Sequence, residues 1–131
     1  MQNLTSDVEV VNTIQGVKSL ADGIAVLNAS HRNALPLLYI DIDPQSLGPN
    51  GELNLLTIML CYGPEYRRRL YLVDVNRLAN QAFSSRGYYG ASLRSILDSA
   101  SYQKVVFDGV HDLQLMESVS EENSGEPGGW V

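Results

Sequence analysis

An α/β domain organised around an antiparallel three-strand meander is the fold class this sequence predicts. Three observations carry that reading. Apolar residues recur at helical steps of three and four in some segments and at a period of two in others. Three successive strand-like runs are joined by short turn-forming stretches, which is how antiparallel neighbours are connected. Short helical segments and a last apolar strand then follow.

In chain order, "DVEVVNT", Asp7 to Thr13, alternates around Val8, Val10 and Val11 and reads as a short strand. "QGVKSLADGIAVLNAS" sets Val17, Leu20, Ile24 and Leu27 on one helical face and ends near Asn28. Gly23 costs that helix about 1 kcal/mol relative to Ala. "LLYIDID" is a strand. Leu38, Ile40 and Ile42 point one way; Leu37, Tyr39, Asp41 and Asp43 point the other. Pro44 ends the ladder, and Asn50-Gly51 suits a turn with positive φ. "ELNLLTIMLCY" is apolar on both faces, as a central strand would be. "GPEYRRR" reads as an exposed turn carrying Arg67, Arg68 and Arg69, and "LYLVDV" as the third strand of the meander. "NRLANQAF", Asn76 to Phe83, is a helix capped by Asp74 or Asn76. "SSRGYYG" is a loop whose Tyr88 and Tyr89 either pack or stack a base. "ASLRSILDSA" is a helix with Ser92 as N-cap and Leu93, Ile96 and Leu97 inward. "KVVFD" is a short buried strand, and "GVHDLQLMESV" opens a further helix. Residues 118–131 are acidic and Gly-containing and read as a disordered tail, leaving 1–117 as the domain.

The 131 residues suffice for one domain with a core. Hydrophobic residues make up 44% and charged residues 18%, within the globular range. No apolar run approaches the roughly 20 residues that span a bilayer. The N-terminus lacks a basic segment followed by an apolar one, so no secretory signal is read and an intracellular place, nucleus or cytoplasm, is expected. The single cysteine, Cys61, sits in an apolar run and reads as a core thiol. Net charge is −6, but Glu117, Glu121, Glu122 and Glu126 lie beyond residue 116, and no Lys or Arg follows Lys104. The remainder is near balance, so charge neither supports nor excludes a polyanionic substrate.

Asp41 and Asp43 are the chemistry-bearing pair. Same-face carboxylates at a strand end repel one another and lose hydration. A divalent cation offsets that cost, because Mg²⁺ and Mn²⁺ prefer hard oxygen ligands. "VVFDGVHDLQLM" offers Asp108 and Asp112 from a distant segment. Each acid also has a plain role: Asp41 and Asp43 as turn residues before Pro44, Asp108 as a helix cap, Asp112 in a first turn favoured by the helix dipole. "DIDPQSLGPNGE" mimics a calcium loop, yet its sixth position is Ser46 rather than Gly and its flanks are strands. There is no Gly-x-Ser-x-Gly turn, P-loop or dinucleotide fingerprint.

Taken together, "LLYIDID…GELNLLTIMLCY", "YLVDV…LANQAF" and "SLRSILDSASYQKVVFDGVHDLQLM" resemble the 3′–5′ exonuclease domain of the DEDD superfamily, in its ribonuclease D and Werner-type group. The resemblance runs from about Leu37 to Met116. It implies an RNase H-like mixed sheet, in which parallel strands join the meander, with flanking helices. It also implies two-metal phosphodiester hydrolysis with Mg²⁺ or Mn²⁺. By position, Asp41 matches the family's first acid, Asp43 the second and Asp112 the third, with His111 preceding it. Two departures stand out. Asp43 occupies the place of a Glu and is one methylene shorter, roughly 1.5 Å of reach. The fourth acid, which the family carries on a later helix, has no counterpart after Asp112, as though the C-terminal part of the fold were missing.

These features lead to an expected nucleic-acid-binding, exonuclease-like domain with weak or no catalysis and an incomplete metal site. An active metal-dependent exonuclease and a non-catalytic protein-interaction domain are the alternatives. The expected partner is single-stranded nucleic acid rather than a membrane. A second copy or a protein partner is expected over a sheet face left exposed.

Overall fold

The computed structural model describes residues 7–42, 49–50 and 52–107. Strand β1 (Asp7–Val11) leads into helix α1 (Ile14–Ser30). Strands β2 (Leu38–Asp41), β3 (Leu55–Tyr62) and β4 (Arg67–Asp74) follow. Then come the short helices α2 (Val75–Leu78), α3 (Gln81–Ser84) and α4 (Leu93–Asp98) and strand β5 (Lys104–Val106). The five strands form one sheet in the order β1-β4-β3-β2-β5. The meander β2-β3-β4 is antiparallel, and the outer strands β1 and β5 run parallel to β4 and β2. The sheet is therefore mixed, as expected.

Register sorts the side chains onto two faces. Leu38 lies opposite Leu60, Ile40 opposite Ile58, and Leu56 opposite Val73, which in turn meets Val11 of β1. All of these are buried in one cluster with Val17, Leu20, Ala21 and Ile24 of α1 and with Phe83, Leu93, Ile96 and Leu97 of the later helices. The helical face that the apolar spacing of 17–27 predicts is therefore the one that meets the sheet. Helix α1 starts at Thr13, whose hydroxyl accepts the Gly16 N–H at 2.9 Å. It runs two residues past Asn28 because the His31 N–H closes on the Asn28 carbonyl. On the opposite sheet face Tyr39, Thr57, Met59 and Leu70 are half-buried, while Asp41 and Val10 are exposed. Strand β3 is central, but its second face is only half covered.

Two local expectations are corrected. Arg67, Arg68 and Arg69 are not a turn cluster; they open β4, and Tyr62 pairs with Arg67 across a tight turn. The turn is the four residues Gly63–Tyr66, with Gly63 at φ 78° and the Tyr66 N–H bonded to the Gly63 carbonyl at 3.1 Å. Alternation then sends Arg68 to one face and Arg67 and Arg69 to the other. Arg69 meets Glu9 at 3.6 Å and lies 5.6 Å from the Tyr71 ring centre. The single helix expected over Asn76–Phe83 is two, because Ala79 takes φ 52° and ψ −134° and breaks it. Asp74, one of the two expected caps, accepts the Arg77 N–H at 3.0 Å. The Asn50-Gly51 turn falls only partly within the described residues. The expected helix after residue 108, the tail at 118–131 and the domain limit at 117 lie outside them.

Candidate metal centre at the end of β2

Asp41 is the last residue of β2, and the alternation Leu38-Tyr39-Ile40-Asp41 places it on the face opposite the helices. Across the sheet it is level with Thr57 of β3. On its other side is β5, parallel to β2, with Ile40 level with Val106. The Phe107 N–H extends that pairing onto the Ile40 carbonyl at 2.9 Å. Two strands from distant parts of the sequence thus end side by side. The chain leaves β5 beside Asp41 and continues toward Asp108 and Asp112.

An aromatic flank accompanies the carboxylate. Tyr39, two residues before Asp41 on the same face, has its ring 6.4 Å from that of Phe107, with planes 23° apart. Tyr39 holds its proton above the ordinary tyrosine range. Burial is the main cause, the neighbouring Cys61 adds to it, and Arg68 opposes it. Its phenol is therefore a neutral hydrogen-bond donor well into alkaline solution. Cys61 itself is buried, as its apolar run predicts. The Tyr39–Phe107 pair escaped sequence reasoning because no pattern reveals that residues 39 and 107 are neighbours; only the β2–β5 register does.

Asp41 is the one sequence-predicted ligand within the described residues. Asp43, Asp112, Asp108 and His111 lie outside them. Among the described residues no group of three or more His, Cys, Asp or Glu side chains could hold a metal ion. The described residues supply one carboxylate of the expected set and do not by themselves make a metal site. A separate groove of about 450 Å³, lined by Val26, Leu27, Leu60, Tyr62, Arg69 and Tyr71, lies between α1 and the sheet, on the other face from Asp41. Among the described residues no helix is long and apolar enough to cross a membrane.

No family model matches the chain, and no curated protein matches it. Solved structures do. The crystal structure of Trypanosoma brucei RNase D superposes with a TM-score of 0.62 at 20% identity, covering 98% of this chain and 38% of that one. The same organism's RNase D in complex with RNA U12 gives 0.59 at 19% identity over the same shares. The chain thus shares the fold of a segment of RNase D, the RNase H-like mixed sheet, and spans well under half of that protein's length.

Proposed function

We propose that this domain binds single-stranded nucleic acid as a 3′–5′ exonuclease-like module of the DEDD type and cleaves it poorly. The observation that carries the reading is the parallel pairing of β2 and β5. It ends the Asp41 strand beside the segment leading to Asp112, in a fold shared with an RNase D whose structure is also known with RNA. In this reading Asp41, Asp43 and Asp112 converge on Mg²⁺ or Mn²⁺. When bound, such an ion lowers the pKa of an attacking water and stabilises the leaving oxygen. The protein's own part is to fix carboxylates at a strand end, where the sheet resists their movement. Tyr39 and Phe107 offer an apolar wall beside that end. The shorter Asp43 reaches less far than a Glu toward a shared ion, which argues for slow turnover.

The test is Mn²⁺ titration calorimetry alongside degradation of a 5′-labelled single strand, on wild type and Asp41→Ala. Mn²⁺ heat lost in the variant, with strand binding and little cleavage, is the expected result. Brisk cleavage abolished by Asp41→Ala would replace slow turnover with a competent exonuclease. Neither metal heat nor strand binding in wild type would sink the reading.

A further inference from the structure

The loop between α3 and α4 holds two tyrosines in an unusual position. Tyr88 is 89% exposed and Tyr89 63% exposed, so neither packs into the core. The backbone beneath them is nonetheless pinned. One carboxylate, Asp22 of α1, accepts both amides: Tyr88 N–H to Oδ2 and Tyr89 N–H to Oδ1, each at 3.1 Å. Gly87 bonds the Ala91 carbonyl at 2.9 Å, and the Arg86 guanidinium reaches the Gly90 carbonyl at 2.6 Å. At Gly87 the loop presses so closely on α1 that a Cβ there would sit 2.2 Å from Asp22 Oδ1 and 2.7 Å from the Lys18 carbonyl. The two rings meet edge to face, 5.1 Å apart at 86°. That arrangement leaves ring faces open, where a stacked pair would cover them.

We propose that the pinned Tyr88–Tyr89 pair is a stacking platform for unpaired nucleobases, separate from the Asp41 strand end. It rests on the nucleic-acid reading above and extends it to a second contact. A fixed backbone under exposed aromatic faces is preorganised, so stacking carries little ordering cost. Base stacking on such rings is tolerant of sequence. Arg86, exposed and two residues before Tyr88, brings a cation for the adjoining phosphate. A protein contact fits less well. Hot-spot aromatics sit within a rim that excludes water, whereas the flanking Ser84, Arg86 and Gly90 are exposed. Because Asp22 belongs to the helix layer and Asp41 to the opposite sheet face, a strand touching both must pass around the domain. Short oligonucleotides can engage one contact only.

The experiment is fluorescence anisotropy with labelled single-stranded RNA and DNA of about 4 and about 16 nucleotides, spanning common single-strand site sizes. Wild type is compared with the double variants Tyr88→Ala/Tyr89→Ala and Tyr88→Phe/Tyr89→Phe. Thermal melts by circular dichroism establish that each variant is folded. The alanine pair is expected to weaken the longer strand about tenfold or more, the phenylalanine pair to retain most of the affinity, and the shorter strand to depend far less on the tyrosines. Wild-type binding that the alanine pair leaves unchanged overturns the platform and leaves the proposed function standing. No wild-type binding to either length overturns both. Unchanged nucleic-acid affinity with a lost dimer in sedimentation would make the pair a protein contact, and so would also overturn the platform.

Discussion

Gly87 has no room for a methyl group. The atoms that a Cβ would strike are a carboxylate already holding two amides and a helix carbonyl, neither of which can swing aside. Gly87→Ala should therefore cost about 1–3 kcal/mol, as overpacking does, read as a lower urea midpoint. An unchanged midpoint would mean that the loop is not held against α1. Ala79 is the converse case. Its φ of 52° with ψ −134° suits Gly and strains any L-residue. Ala79→Gly is expected to gain about 1 kcal/mol in the same assay, and a loss would show the break to be unstrained. Lys104 is only 8% exposed, its ammonium donating to the Ser99 carbonyl at 2.8 Å. Burial draws its pKa below the ordinary 10.5, against the pull of Asp98. The unfolded chain thus holds this proton more tightly than the folded one. Stability should rise with pH between the lowered value and 10.5, and the penalty stands in full below that window. The slope between about pH 8 and about pH 10 should be smaller in Lys104→Met than in wild type. Tyr39, whose raised pKa costs stability only as pH climbs past its usual 10, is common to both proteins and drops out of the comparison. Equal slopes would remove Lys104 as the cause.

At the scale of elements, short helices in this domain depend on their ends. Helix α4 has six residues, too few to persist on propensity. It is closed by a reciprocal pair: Ser92 Oγ accepts the Ser95 N–H at 3.1 Å, and Ser95 Oγ accepts the Ser92 N–H at 2.9 Å. Arg94 adds an i,i+4 pair with Asp98 at 3.0 Å. Ser92→Ala is expected to cost about 1–2 kcal/mol, visible in the thermal midpoint; Ser92→Asp, which restores an acceptor, should recover part of it. No loss in the alanine variant would mean that Leu93, Ile96 and Leu97 hold the helix unaided. The cap was readable from "SLRSILD" because capping is local. The split of Asn76–Phe83 was not, since nothing in "NRLANQAF" marks Ala79 as left-handed. The start of β4 at Arg67 was missed for a related reason: three arginines look like a solvated turn until register shows each paired with β3.

Across the whole molecule, the two sheet faces differ in what covers them. The helix-side face is buried throughout its centre. On the other, Val8 and Val10 of edge strand β1 are 55% and 58% exposed, level with the half-buried Leu70 and Leu72. Valines this exposed contribute little to folding. Val8→Thr with Val10→Thr should leave unfolding free energy within about 0.5 kcal/mol and reduce binding of a hydrophobic dye. Unaltered dye binding would indicate that this apolar row is covered in solution. The same face bears Asp41, Tyr39 and Phe107, so the proposed nucleic-acid contact and the exposed apolar row share one side of the sheet.

What the sequence determined by itself was whatever follows from neighbours along the chain. The period of two in "LLYID", the three-and-four steps of α1 and the serine cap of α4 all act through local sterics and hydrogen bonds, and the sequence shows each of them. The carboxylate at residue 41 could likewise be assigned to one face by alternation alone. Only the tertiary structure decided what sits next to it: β5 rather than β1 beside β2, Phe107 against Tyr39, and Asp22 beneath Tyr88 and Tyr89. Those adjacencies are settled by burying apolar faces from many segments together, a collective balance that no short stretch of sequence contains.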